Sequence, residues 1–377
     1  MGAIIRPTPA LTDPQQPQPG PSNPVERFFA ARLRDPRDII FVRTTVELCI
    51  KMWAAAALVY GGWGSGWLTG GWLLGFAFVW LPWMMARYQG RFTLMLHATI
   101  HRPLFKAEHT GLNAVIPWLL GPLFGHSPNS FYVHHIGMHH VENNLAPDLS
   151  STLAYQRDRF GAFLHYWARF FFAGTAHLLR YLVLRRRAPM VKRFVRGELA
   201  WVGTVLFLLW LAPAPTLVVF VAPWALIRFF MMAGNWAQHA FIDVADPGNS
   251  YRNSTCLTNV RYNHLCYNDG YHIVHHLKPA LHYTEMARWF HERRADFGAQ
   301  DAVVFRGLGN NQTVFWCLMR QDWDRLARHM LQLPGAPARN HDERVAFLKG
   351  RVRRSLGQVP GVFAFEPVRT AAPVAAK

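Results

Sequence analysis

Two pairs of long apolar runs constrain this chain more than anything else in its sequence. The first pair occupies residues 44–86, where TVELCIKMWAAAALVY is followed by GGWGSGWLTGG and then WLLGFAFVWLPWMMA. The second occupies 194–234: FVRGELAWVGTVLFLLWLA, the turn PAP, then TLVVFVAPWALIRFFMMAG. Each run approaches the roughly 17–20 residues that a helix needs to cross a bilayer. The short Gly- or Pro-rich turn inside each pair makes it a hairpin, so the pattern predicts four transmembrane helices. Glu47 and Lys51 interrupt the first run, and Lys51 is long enough to carry its ammonium to an interface. Pro223 is expected to kink the fourth. Composition agrees: 51% of residues are hydrophobic and only 16% charged, against about 25% charged in a soluble domain. A disordered or fibrous chain is excluded on the same grounds.

Charge orients the hairpins. Arg27, Arg32, Arg34, Arg37 and Arg43 precede the first run, Arg87 and Arg91 follow the second, and Arg180, Arg185, Arg186, Arg187, Lys192, Arg193 and Arg196 precede the third. The turns 61–71 and 212–215 carry no Lys or Arg. The positive-inside rule then puts both termini and residues 87–193 on the cytoplasmic side. The net charge of +18 could equally serve nucleic acid. However, the basic residues flank apolar runs and no nucleic-acid-binding motif accompanies them, so membrane lipid is the expected partner and nucleic acid is not.

Two further apolar segments are not counted as spans. Residues 112–125 are short and broken by Pro and Gly, and 161–184 contain Arg and His. Both are expected to lie at the interface or against the bundle. Residues 1–24 are rich in Pro and Gln and read as a disordered tail. Residues 240–377 are polar, with helical stretches at 321–332 and 341–354, and form a cytoplasmic cap. The predicted fold is an all-α membrane bundle. A tail and basic juxtamembrane segment occupy 1–38, the membrane domain 39–300, and a basic cytoplasmic extension 301–377. Cys49, Cys256, Cys266 and Cys317 show no CxxC spacing and are read as free thiols.

Histidine carries the chemistry. There are 19 in the chain, and many fall in clusters at or beyond the cytoplasmic ends of the runs. His97 and His101 are four apart, on one helical face. His135, His139 and His140 form HxxxHH. Asn235 and His239 form NxxxH just past the fourth run. His272, His275 and His276 again share a helical face. One such cluster is more often a pair of ordinary histidines than a metal site. Together, however, these nine imidazoles would be poorly matched as hydrogen-bonding partners and would repel if charged, whereas a metal gives their lone pairs a common partner. Nine exceed the ligands of one ion, so two are implied. Imidazole suits zinc, copper, iron and nickel alike, which leaves the element open. Glu142 and Asp269 lie near the clusters and are expected to orient imidazole N–H groups.

HATIH, HHIGMHH and HIVHH resemble the three histidine boxes of the membrane fatty-acid desaturase and hydroxylase superfamily. HIVHHLKPALHY, His272 to Tyr283, is similar to the third box and its tail. NWAQH is similar to the Asn-x-x-x-His element of acyl-CoA desaturases. The resemblance covers about 40–300 and makes this stretch a di-iron domain. It implies a non-haem centre of two iron ions using O2 as co-substrate, held by His97, His101, His135, His139, His140, His239, His272, His275 and His276. Asn235 is implied as a water-mediated or weak ligand. No catalytic side chain beyond the ligands is implied. His135 is preferred to its neighbour His134, while His126, His264 and His282 are read as supporting or structural. The first box has three intervening residues where many acyl-CoA desaturases have four, so the acyl carrier stays open.

The implied activity is desaturation of a fatty-acyl or lipid chain. The alternatives are a hydroxylase or ketolase of the same superfamily and, from another class, a His-rich metal transporter or sensor. Arg252, Arg261 and Lys278 are candidates for holding an anionic head. No haem or dinucleotide motif occurs, so electrons are expected from an external ferredoxin or cytochrome b5-like donor with its reductase.

Overall fold

Apolar surface decides how the long helices sit in the computed structural model, which describes residues 12–17, 19–355, 359 and 361–364. Ile39–Gly64 and Gly70–Met84 make the first helical hairpin. Ala188–Leu211 and Pro213–Gln238 make the second. Among the described residues, only the second pair is both long and apolar enough to cross a membrane. Ile39–Gly64 has the length, at 26 residues, but carries Arg43, Glu47 and Lys51. Gly70–Met84 is only 15 residues long and continues through a widened turn, Met85–Gln89, into Gly90–His101. The second apolar run therefore delivers the first histidine pair directly. Two long apolar helices point to membrane association.

The inner faces of both hairpins share one core, including Leu48, Met52, Val59, Leu73, Phe124, Trp201 and Val219. A hydrogen bond of 2.7 Å between the hydroxyls of Tyr60 and Thr216 links the pairs. The outer faces leave Trp53, Trp72, Phe78, Leu206, Phe207 and Trp210 exposed, an apolar band of the kind that marks a membrane or partner contact. Near Pro223 the ladder loosens into a wide turn at Leu217–Val221, just ahead of the residue that lacks an N–H.

Residues 112–125 form broken helical turns and bury Ile116, Leu120, Leu123 and Phe124 against the bundle. Gly125, at φ +77°, ends the segment, and a Cβ there would lie 2.6 Å from the Pro223 carbonyl. Only glycine serves both the left-handed backbone and this approach. Residues 161–184 become Phe160–Ala168 and Gly174–Leu184 joined by a wide turn. Their Phe163, Leu178 and Leu182 face inward, with Phe172 and Val183 outward.

The fold is mostly helical, and the all-α expectation needs one correction. Thr255–Thr258 and Val303–Arg306 pair as a two-stranded parallel sheet. Each strand is four residues long and nearly all buried on both faces, too short and too evenly buried to display an alternating pattern. The following helices are Asn311–Met319, Trp323–His329 and His341–Arg351. Asn310 and Asn340 each close a capping box, with Thr313 and Glu343.

The tail also departs from expectation. Residues 1–11 and 18 lie outside the described residues, as do 356–358, 360 and 365–377 at the other end. Asp13, however, is buried at 3% exposure. Its Pro- and Gln-rich surroundings offer nothing to bury, but one carboxylate finds donors from residues about 250 positions away, including the Asn259 N–H.

Candidate metal centre

Three short helices and one helix end supply the clustered imidazoles, and the local backbone decides where each points. On Gly90–His101, His97 and His101 are one turn apart and face the same way. The second cluster is not α-helical. Ser130–His134 passes into a wide turn, His135–His139, in which the His140 N–H bonds the His135 carbonyl five residues back. That brings His135 and His140 together edge-on, with their Nε2 atoms 2.9 Å apart, and sends His139 elsewhere. His239 follows the last turn of Ala222–Gln238. His272, His275 and His276 lie on His272–Leu277.

The nine histidines come together as two groups. His97, His101, His135, His140 and His275 form one, and His139, His239, His272 and His276 the other. Within each, the candidate ligand atoms all lie within 4.8 Å of one another. The His272–Leu277 helix therefore serves both groups, with His275 on one side and His272 and His276 on the other.

The donor set fits a metal. The Nε2 atoms of His97, His135, His140 and His275 form a ring with edges of 2.9, 2.9, 2.9 and 3.0 Å. Imidazole nitrogens about 2.1 Å from a shared ion would be separated by roughly 3.0 Å at a right angle and 3.4 Å at a tetrahedral one. In the second group His272 Nε2 lies 3.3 Å from that of His239 and 3.1 Å from that of His276. The buried Nε2 of His101 has no hydrogen-bond partner.

Burial, and then the charges of neighbouring imidazoles, hold His101 near pKa 2 and His239 near 4. The same causes push His135, His140, His272, His275 and His276 below the ordinary histidine value. These rings are neutral at physiological pH, the form that binds metal.

Outer partners fix the orientation of three rings. His139 Nδ1 lies 2.7 Å from Asp148 and 3.2 Å from the Ser150 hydroxyl. Burial raises the Asp148 carboxyl, but the adjacent His139 outweighs it and holds the acid well below the usual range. His239 Nδ1 faces both oxygens of Asn253, at 2.9 and 3.0 Å. Asp269 lies 3.5 Å from His97 Nδ1 and accepts bonds from Gln238 and Tyr262. Glu142 does not share the role expected of it. It accepts from Tyr181 and Arg185 and so ties the second box to the Gly174–Leu184 helix. Sequence reasoning misses Asp148 and Asn253, because neither sits at a helical spacing from the ring it supports.

Asn235 donates to the Ser150 carbonyl and the Tyr166 hydroxyl, beside the second group. His134 stays outside both groups, its Nε2 buried without a hydrogen-bond partner. His126 is buried beside Phe92, His264 is exposed, and His282 bonds Asp38. Asp35, Asp38 and His282 form a third close grouping. There Arg37 and Arg102 already neutralise Asp35, each at 2.7 Å, so this is an ion-pair network.

Both groups border a cavity of about 1070 Å³, reached by His97, His135, His139 and His272. Its lining includes apolar Leu74, Phe78, Leu81, Leu226 and Phe230 and polar Arg261, Tyr262, Asn310, Asn311 and Gln312. Of the three basic candidates only Arg261 lines it. Arg252 is 3.5–3.8 Å from Asp243 and Asp246.

The family model of the fatty acid desaturases matches residues 71–307, more than half of the chain. No curated protein and no solved structure matches at a significant level.

Proposed function

Because this chain belongs to the fatty acid desaturase family, we propose that it is a di-iron, O2-dependent membrane enzyme that desaturates the alkyl chain of a fatty-acyl or lipid substrate. Family membership and the clustered histidines make it an oxidoreductase. The single observation that carries the finer reading is the cavity. Its lining combines a large apolar surface with polar side chains, and histidines of both groups reach it.

The nine histidines would hold the two ions, His97, His101, His135, His140 and His275 around one, and His139, His239, His272 and His276 around the other. Asn235 stands by as a weaker or water-mediated contact. Iron bound there would supply the oxidising power of dioxygen, which no side chain possesses. The protein's own contribution is placement. Phe78, Leu81, Leu226 and Phe230 exclude water and align the chain, while Arg261 and the Asn310–Gln312 segment receive a polar or anionic head. Asp148 and Asn253 keep His139 and His239 in the tautomer that aims Nε2 inward. The overall balance is two C–H hydrogens, dioxygen, two electrons and two protons giving an alkene and two waters. The electrons come from an external ferredoxin or cytochrome b5-like donor with its reductase.

In this reading all four hairpin helices are embedded, with both termini and the His groups at the cytoplasmic face. The exposed apolar band on the hairpins and the arginines flanking them support that placement. Residues 39–300 form the di-iron domain and 301–377 the cytoplasmic extension.

The test is lipid analysis by mass spectrometry, in cells with and without the protein, beside iron analysis of the purified enzyme. Desaturation removes two mass units; a gain of sixteen would instead assign a hydroxylase. Replacing His139 or His276 by Ala should abolish turnover, and near-normal activity in either would overturn the ligand assignment.

A further inference from the structure

The tail before the first helix makes a specific, buried attachment beside the third histidine box. The Asp13 carboxylate accepts from the backbone N–H groups of Asn259 and Val260, at 2.6 and 3.2 Å, and from the Tyr271 hydroxyl at 2.6 Å. On either side of it, the Thr12 N–H donates to the Asn259 side chain and the Pro14 carbonyl accepts from the Asn268 side chain. A carboxylate at 3% exposure is tolerated only when its oxygens are bonded, and these bonds all go to one loop. Further along, Arg43 grips the Pro19 and Gly20 carbonyls and Glu26. The described part of the tail is thus a strap fastened at both ends.

The loop it holds is costly to form without support. Asn259, Tyr267 and Asn268 adopt left-handed backbone, with φ of 53°, 52° and 58°. It also leads directly to the metal groups. Tyr271 is fully buried and immediately precedes His272, and its carbonyl accepts the His275 N–H at 3.0 Å. Asn268 and Tyr271 bracket Asp269, which lies beside His97. One carboxylate and one carbonyl of the strap therefore brace both ends of the turn that aims His272, His275, His276 and Asp269. The strap lies outside the stretch matched by the family, 71–307.

We infer that Asp13 is a positioning residue of the metal centre: by clamping Tyr271 and the 259–271 loop, the N-terminal strap sets the aim of the third box and so the retention of metal in both groups. This rests on the di-iron reading above. The experiment compares full-length protein with Asp13→Ala and Tyr271→Phe, all loaded with iron in detergent. Iron loss to a chelator is followed over time, with Mössbauer spectra and thermal unfolding alongside. The expected result is iron loss roughly tenfold faster in both variants at a temperature where each is folded, the scale typical of a lost orienting partner, with altered spectra. The unfolding temperature falls in Asp13→Ala, which leaves three donors without their acceptor, and changes little in Tyr271→Phe.

Unchanged loss rate and spectrum in Asp13→Ala would overturn the inference. If Asp13→Ala does not fold, Tyr271→Phe decides, because it leaves the carboxylate its two backbone donors; unchanged retention there would overturn it equally. An unaltered protein that takes up no iron sinks the di-iron reading and this inference together. Iron-loaded unaltered protein beside an equally retentive variant sinks the inference alone.

Discussion

His139 and Asp148 share a buried hydrogen bond of 2.7 Å, Nδ1 to carboxylate, with neither side chain more than 3% exposed. The carboxylate also accepts from Ser150 and the Asn144 N–H, so it cannot swing away from the ring. A neutral imidazole whose Nδ1–H is taken presents its Nε2 lone pair to the second group. Replacing Asp148 by Asn keeps the shape but removes the charge and lets the amide present an N–H to the ring. Metal retention in Asp148→Asn is expected to fall roughly 10–100-fold, measured as iron released to a competing chelator.

Gly234 faces the cavity, and a Cβ there would meet nothing nearer than Gln312 Nε2 at 3.9 Å. Gly234→Phe should therefore fill the passage without disturbing the helix. We expect turnover on long chains to drop by about tenfold or more, in keeping with the sensitivity of reaction rates to misplaced reactants, while the iron content stays as in the unaltered protein. Mass-spectrometric product yields across chain lengths, beside iron analysis, would show it.

Arg157 is fully buried and bonds five carbonyls, those of Thr152, Tyr155, Ala240, Arg351 and Arg353. It pins the loop after the second box to the end of Ala222–Gln238 and to the C-terminal segment. Arg157→Met takes the guanidinium donors from all of them, and the Thr152 carbonyl keeps the Tyr155 N–H. At about 1–3 kcal/mol for each buried group left unsatisfied, the loss is expected to exceed about 3 kcal/mol, seen as a large drop in unfolding temperature in detergent.

Burial, and then the charge of Arg228, hold His126 near pKa 3. Its ordinary value is about 6.5. Below that value the unfolded chain takes up a proton that the folded protein refuses, so stability present above pH 6.5 is lost as pH falls towards 3. The slope is about 1.4 kcal/mol per pH unit for this one group. His126→Phe should flatten the acid limb of the stability curve by about that amount, measured by denaturant titrations between pH 4 and 7.

Much of the site is legible in the residue order. All nine histidines of the two groups stand out by their spacing, because side chains that converge from one helix must share a face. Their partition does not stand out. His135 and His140 are five apart and diverge on an α-helix; only the widened turn brings them together. His275 and His276 are adjacent yet serve different groups, since the helix carrying them lies between the two. Asp148, Asn253 and Asp13 act across sequence distances at which no periodicity operates. The strands at 255–258 and 303–306 escape for a related reason, as they pair with each other across about 45 residues and pack into cores built from other elements.

What the sequence determined by itself is therefore what is local: apolar length, the sign of the flanking charge, and imidazoles repeated at helical intervals. Those properties set hydrophobic burial and backbone geometry residue by residue. The tertiary structure alone decided which rings converge, which carboxylates orient them, and that a proline-rich tail is fastened beside the third box. Each of these depends on groups far apart in the chain meeting at hydrogen-bond distance, and such meetings exist only once the helices have packed.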